Sequence, residues 1–263
     1  MRSIATCSVP TATSAPNGAT NAYLVGREGA MLVDPAGRTP GLDRAVEARS
    51  VEHVLLTHTH PDHVGGVAEY ATRTGATVWA HGAYEDRFEW ATGIGPDRTL
   101  SDGEVIRTGD GTRVEVLETP GHAPDHLVFA IGSSLLVGDL SMAEGSVLVG
   151  DDGDLAAYLA SLDRLLALSP STCYPGHGPT IEDPDETLSR LIEHRRERER
   201  RVVAAVRNGR ETVEGIVESA YERDLTGVEH LAGQAVRAHL RKLAAEGVVR
   251  WDGERAHALA SDD

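Results

Sequence analysis

The segment His58 to His63, inside Thr-His-Thr-His-Pro-Asp-His, crowds three imidazoles and a carboxylate into six residues. Neutral imidazole and carboxylate oxygen are the donors that zinc favours, and several histidines with an oxygen donor suit a catalytic ion that keeps one position open. Three more residues of this kind each follow a strand and stand beside glycine: His122 in Thr-Pro-Gly-His, Asp139 in Leu-Leu-Val-Gly-Asp and His177 in Tyr-Pro-Gly-His. Glycine lets the backbone carry a side chain close to a metal. Singly, each of the three reads as a surface residue of a loop; in this order after the first cluster, they read as ligands. His58, His60, Asp62, His63, His122, Asp139 and His177 together offer more donors than one tetrahedral ion takes, which points to two ions sharing a bridge. A water between two such ions would lose its proton near neutral pH and become the nucleophile of a hydrolysis, with Asp62 orienting it.

The elements around these residues must bring them together. His58, His60 and Asp62 follow the apolar strand residues His53 to Leu56, and alternation at a sharp turn points them one way. His63 then opens the next helix. Strand patterns fall at Ala22 to Gly26, Met31 to Asp34, Val51 to Thr57, Thr77 to Ala80, Val114 to Thr119, Leu127 to Ile131 and Ser134 to Gly138. Helical patterns fall at Thr39 to Arg49, Val64 to Thr74 and Leu155 to Leu168. Such a mixture predicts an α/β layered domain, with Thr11 to Thr20 as a loop. The texture changes after Pro179, where a charged helix is expected from Pro184 to Asn208. The domain boundary is placed there, dividing the chain into 1–183 and 184–263.

The chain has 263 residues with a net charge of −16, and Lys242 is the only lysine among 25 basic residues. This acidic, arginine-biased surface resembles that of salt-adapted proteins, and charge alone does not choose a substrate. Two cysteines, Cys7 and Cys173, are too few for a disulfide framework, and the start lacks the basic and apolar pattern of a signal peptide. A reduced, cytoplasmic protein is expected. No apolar run approaches the roughly 20 residues of a membrane helix.

His-x-His-x-Asp-His followed by His122, Asp139 and His177 resembles the metallo-β-lactamase superfamily, over roughly Asn21 to Thr180. The resemblance implies an αββα sandwich with the site at one edge. It assigns His58, His60 and His122 to a first metal, Asp62, His63 and His177 to a second, and Asp139 to the bridge. Two zinc ions are expected, with manganese or iron(II) as alternatives. Asp34 matches a position that supports the metal loop, against the plain reading of a turn aspartate before proline. His126, four residues beyond His122, is expected to pack or support the site, with donation to substrate as the alternative.

The spacing after Asp139 and the run from Tyr174 to Glu199 resemble the lactamase-β-like-2 group, which carries a C-terminal winged helix and includes a single-strand-specific endoribonuclease. Independently, Thr212 can cap a helix Val213 to Tyr221, a second helix runs Val228 to Glu246 and stops at Gly247, and Val248 to Trp251 pairs with Arg255 to Leu259. Arg195, Arg196, Arg198, Arg200 and Arg201 crowd the preceding helix. A phosphodiesterase acting on single-stranded RNA is therefore the first expectation. The alternative is a glyoxalase II-like thioester or other small-molecule ester hydrolase, whose C-terminal part only packs or pairs two copies into a homodimer. Against nucleic acid, the segment after Arg207 carries more acidic than basic residues.

Overall fold

The computed structural model describes residues 4–13, 15–222 and 224–259, and of Pro16 the backbone only. Successive side chains of a strand point to opposite faces. In β2 (Ala19–Val25), Ala22 and Leu24 enter one apolar cluster while Tyr23 and Val25 enter another, so this strand has a layer on each side. It sits in a six-stranded sheet ordered β1 (Ile4–Pro10), β2, β3 (Ala30–Val33), β4 (Val51–Leu55), β5 (Thr77–His81) and β6 (Arg98–Leu100). β1, β2 and β3 pair antiparallel, and β3 through β6 pair parallel. Parallel neighbours need crossovers. These hold α1 (Pro40–Glu47), α2 (Pro61–Val64), α3 (Val67–Thr74) and α4 (Glu85–Thr92).

The second sheet comprises β7 (Val105–Arg107), β8 (Arg113–Glu118), β9 (Leu127–Ile131), β10 (Ser134–Gly138) and β11 (Thr172–Pro175), in the spatial order β11-β10-β9-β8-β7. Only β10 and β11 pair parallel, across α5 (Leu155–Ala167). Tyr23, Met31 and Leu55 of one sheet meet Leu127, Phe129 and Leu136 of the other in a buried core. Leu42, Val67 and Tyr70 cover the outer face of the first sheet, and Tyr158, Leu162 and Leu188 that of the second. Helix, sheet, sheet, helix is the expected α/β sandwich, and all three ligand loops after β8, β10 and β11 leave the same sheet.

Beyond the sandwich, α6 (Pro184–Arg207) serves two cores. Leu188, Leu191 and Ile192 pack on the second sheet, whereas Val202, Ala205 and Val206 join a cluster with α7 (Val213–Ala220) and α8 (Glu229–Ala245). Val249 and Ala256 of the hairpin β12 (Val249–Trp251) and β13 (Ala256–Ala258) complete it. Thr212 accepts from Gly215 N as the N-cap of α7, and Gly247 follows α8 with φ 72°. Residues 1–3, within the expected start of the first segment, and 260–263, within the last, lie outside the described residues.

Some expectations change. β1, α4, β6 and β7 carry no clear pattern and were not anticipated; β1 and β6 lie at the two edges of their sheet and β7 at an edge of the other. Val64 to Thr74 is not one helix, because Gly65 and Gly66 part α2 from α3. A Cβ on either would stand 2.6 Å from a carbonyl oxygen of Ala36 or Pro35, so this close crossing requires glycine. The strand expected to reach Thr57 stops at Leu55, since Thr57 N turns aside to Asp34 Oδ1 at 2.7 Å.

His239 of α8 is buried against α6, with Nδ1 3.5 Å from Glu199 Oε2. Burial holds its imidazole below the ordinary range, partly opposed by Glu199. The unfolded chain therefore binds a proton that the folded chain refuses, and stability falls as pH drops below about 6.5, at most about 1.4 kcal/mol per pH unit. Urea unfolding at pH 7.5 and 5.5 is expected to show a smaller acid loss in His239→Leu than in the wild type. An equal loss in both would remove His239 as a source of acid sensitivity.

Candidate metal centre

Asp34, at the end of β3, organises the turn that carries the first cluster. Its Oδ1 accepts from Thr57 N, and its Oδ2 accepts from Thr57 Oγ1 at 2.7 Å and from His63 Nδ1 at 3.0 Å. Thr57 Oγ1 in turn lies 3.0 Å from His58 Nδ1. Asp34 thus acts on the ligand loop, and the plain turn reading does not hold. The remaining loops bring His122, Asp139 and His177 to the same edge.

Every histidine of the expected set has one nitrogen engaged on the outside. His122 Nδ1 donates to Leu148 O and His177 Nδ1 to Ala19 O, both at 2.8 Å, while His60 Nε2 lies 3.2 Å from Asp152 Oδ2. Outer partners of this sort fix tautomer and ring orientation, leaving the other nitrogen to face inward. His60 Nδ1 lies 3.1 Å from His58 Nε2 and 2.9 Å from His122 Nε2. His177 Nε2 lies 3.4 Å from Asp62 Oδ2 and 3.3 Å from Asp139 Oδ2, and His63 Nε2 lies 3.5 Å from Asp139 Oδ1. All seven expected residues therefore converge.

Ligand atoms within 4.8 Å of one another form three groups: His58, His60, His122; His58, His63, Asp139; and Asp62, His63, His177. His63 Nε2, His177 Nε2 and Asp139 Oδ1 are buried with no hydrogen-bond partner. Orphaned polar atoms in a native interior call for an occupant. The donor set, imidazole and carboxylate, fits divalent cations. Gly176 makes the approach feasible, since a Cβ there would fall 2.8 Å from His63 Cε1 and against the Asp139 carboxylate.

The charges of the cluster are already distributed. Burial opposes charging of His63, yet Asp139 and Asp34 hold it well above the usual range. His177 behaves likewise, lifted against burial to about 10 by Asp139 and Asp62. Burial would raise both carboxylates, but Asp139 is held well below its usual range, chiefly by His63, and Asp62 at about 2, chiefly by His177. Burial and neighbouring imidazoles keep His58 well below the usual range.

His126 is buried, with Nδ1 2.8 Å from Thr119 Oγ1 and its ring 5.3 Å from that of His58. It supports the His58 ring and is absent from the cavity lining. Two residues escaped sequence reasoning. Asp152 faces His60, and Arg87 of α4 donates to Asp152 Oδ2 at 2.9 Å and to Thr59 Oγ1 at 2.7 Å. No motif surrounds either one; their link to the ligand loop spans 92 and 28 residues of chain. Asp152→Ala is expected to weaken a metal bound through His60 by about 10- to 100-fold, measured by competition with a chelating dye. An unchanged affinity would leave Asp152 no part in orienting His60.

The sequence pattern of the Metallo-beta-lactamase superfamily matches residues 15–177, a span that contains all seven converging residues. The Beta-lactamase-like protein 2 homolog of Drosophila melanogaster is 32% identical over 215 residues, covering 78% of this chain and 72% of the relative. Thioesterase pkgB of Emericella nidulans is 34% identical over 194 residues, covering 70% of this chain and 53% of the relative. A metallo-beta-lactamase family protein of solved structure, from Thermus thermophilus, superposes with a TM-score of 0.77 at 27% identity, covering 97% of this chain and 98% of that one. With the pattern spanning more than half of its length, the chain belongs to the metallo-beta-lactamase superfamily.

Proposed function

We propose that the chain is a dinuclear metal-dependent hydrolase of thioesters or related small acyl esters. His58, His60 and His122 would hold one ion, Asp62, His63 and His177 the other, and Asp139 would bridge them. Zinc suits the donors best, and manganese or iron(II) can use the same set. The observation that carries the reading is the cavity wall facing the histidines. A cavity of about 690 Å³ extends from Asp62, His122 and His177 to Met142, Val147, Leu148 and Leu231. Its size is that of a small-molecule site, and Met142, Val147, Leu148 and Leu231 suit an uncharged acyl group, with Glu144, Arg190 and His194 in the same lining. The relative named as a thioesterase supports the same substrate class.

Bound ions would supply a water-derived nucleophile at neutral pH and polarise the substrate carbonyl. The chain's own part falls to Asp62. Ionised and lining the cavity, it can accept a hydrogen bond from the attacking water and aim it. A thiol, with an ordinary pKa near about 8.5, leaves as thiolate without a dedicated proton donor.

The expected endoribonuclease would read the helix, helix, hairpin order of the C-terminal part as a winged helix gripping RNA. That use needs arginines turned to solvent. Arg195 is instead buried, donates to Val147 O and lies over the Tyr158 ring. Arg198 donates to Ala220 O and covers Tyr221, Arg201 pairs with Glu197 and Glu222, and Arg237 and Arg241 pair with Asp151. Arg196 and Arg200 remain exposed, Arg200 beside Glu193 and Glu197, and the internal partners of the others support the acyl substrate.

Metal-loaded protein is expected to hydrolyse S-acyl thioesters, to lose this with chelator and to regain it with zinc. Cleavage of a single-stranded RNA oligonucleotide without thioester turnover would overturn the reading. Elemental analysis is expected to give two ions per chain, and one in His177→Ala; one ion in both would end the dinuclear model. Asp62→Asn is expected to lower kcat by about 10² or more while retaining most of the metal. Full turnover in that variant would remove Asp62 from the chemistry.

A further inference from the structure

A second cavity, of about 170 Å³, opens beside the first. The two share Ser146, Val147, Leu148, His194 and Leu231. Past that junction the lining is Leu225, Val228, Ala232 and Ala235, with Arg195, Arg198 and Tyr221 at one side. Ala232 and Ala235 lie three residues apart on α8 and so share a face. Their small side chains leave the space open; larger ones would fill it.

The polar backbone of this region is turned to other work. Val147 O accepts from Arg195, Leu148 O from the outer nitrogen of His122, and the carbonyls of Ala143 and Gly145 from Arg190. What the far end offers a ligand is the aliphatic side chains of Leu225, Val228, Leu231 and the two alanines, bordered by Tyr221 and the Arg195 and Arg198 guanidinium groups. A volume of about 150 Å³ is enough to hold a benzene ring. Through Leu148 the wall is also tied to a ligand of the metal centre, so a group lodged there sits at a fixed distance from the cluster.

We infer that the second cavity receives the distal end of the substrate's acyl group, an aromatic ring or a short branched alkyl chain, while the carbonyl lies at the histidine cluster. The inference rests on the thioester reading and extends it. It makes α8 together with Tyr221, Leu225 and Val228 part of the substrate site. Specificity then comes from the C-terminal part of the chain, and the sandwich supplies the chemistry.

The test compares S-benzoyl and S-acetyl thioesters of N-acetylcysteamine, and separately the binding of the S-benzyl and S-methyl thioethers, which are not hydrolysed. The wild type is expected to favour benzoyl over acetyl in kcat/KM by about tenfold or more, as a few buried apolar groups allow. Ala235→Phe, which fills the cavity, is expected to bring that ratio towards one and to weaken the S-benzyl thioether more than the S-methyl one. Val228→Trp at the exposed rim serves if the buried substitution does not fold, with the same expected direction. Thioester turnover with no preference for benzoyl, unchanged by either variant, would overturn the cavity inference and leave the hydrolase reading. Absence of all thioester turnover, with selective S-benzyl binding lost in the variants, would leave a ring-binding cavity and overturn the thioester reading. Neither turnover nor selective binding would end both.

Discussion

The Asp34 carboxylate sits at the point where strand becomes active-site loop. It ends β3 at φ 50°, in left-handed backbone that residues other than glycine seldom adopt. From there it holds Thr57 N, Thr57 Oγ1 and His63 Nδ1 at once. The first bond pulls the chain out of the β4 ladder, which is what turns His58 and His60 towards the other loops. The other two set proton positions: a threonine hydroxyl that donates to Asp34 can only accept from His58 Nδ1. One buried carboxylate thereby makes both His58 and His63 present Nε2 to the cluster.

The same logic governs the remaining imidazoles, with different partners. Leu148 O and Ala19 O are obligate acceptors, so His122 and His177 must carry a proton on Nδ1 and aim Nε2 inward. A centre assembled in this way is electrostatically suited to positive charge. His63 and His177 pull the Asp139 and Asp62 carboxyls below their usual range, and a cation at those inner nitrogens would supply positive charge at the same place.

Much of this cluster was legible in the sequence because its histidines and aspartates are chemically distinctive and lie in short motifs. Gly121, Gly138 and Gly176 each precede a ligand, and the Cβ that each lacks would strike Tyr158, Thr57 or Asp139. The outer contacts were legible only in part. Asp34 sat in a readable strand-end sequence, whereas Asp152 and Arg87 bear on the ligand loop only through tertiary distance. The central strands of both sheets were readable from apolar runs, since layers cover both faces. β6 and β7, three residues each at sheet edges, are too short for any period to emerge. The double glycine between α2 and α3 was visible, but its reason, the carbonyls of Pro35 and Ala36, lies in another loop.

The arginine run of α6 divides between buried and exposed positions. Sequence shows its charge density but not which side of the helix faces protein. A helix that spans two cores must bury residues along its whole length, and Arg195 falls between Ile192 and Val202 on that path. A long stem and a planar head let arginine serve there, because the guanidinium can bond a carbonyl and lie over an aromatic ring together. Arg195 does both, to Val147 and Tyr158, and Arg198 repeats the pattern with Ala220 and Tyr221. Arg190 holds Ala143 and Gly145, so α6 grips the 143–147 loop from two of its turns. That loop forms the cavity wall facing the clustered histidines. Arg190 and Arg195 thus act as struts that hold the wall against α6, while Arg196 and Arg200 of the same run stay exposed.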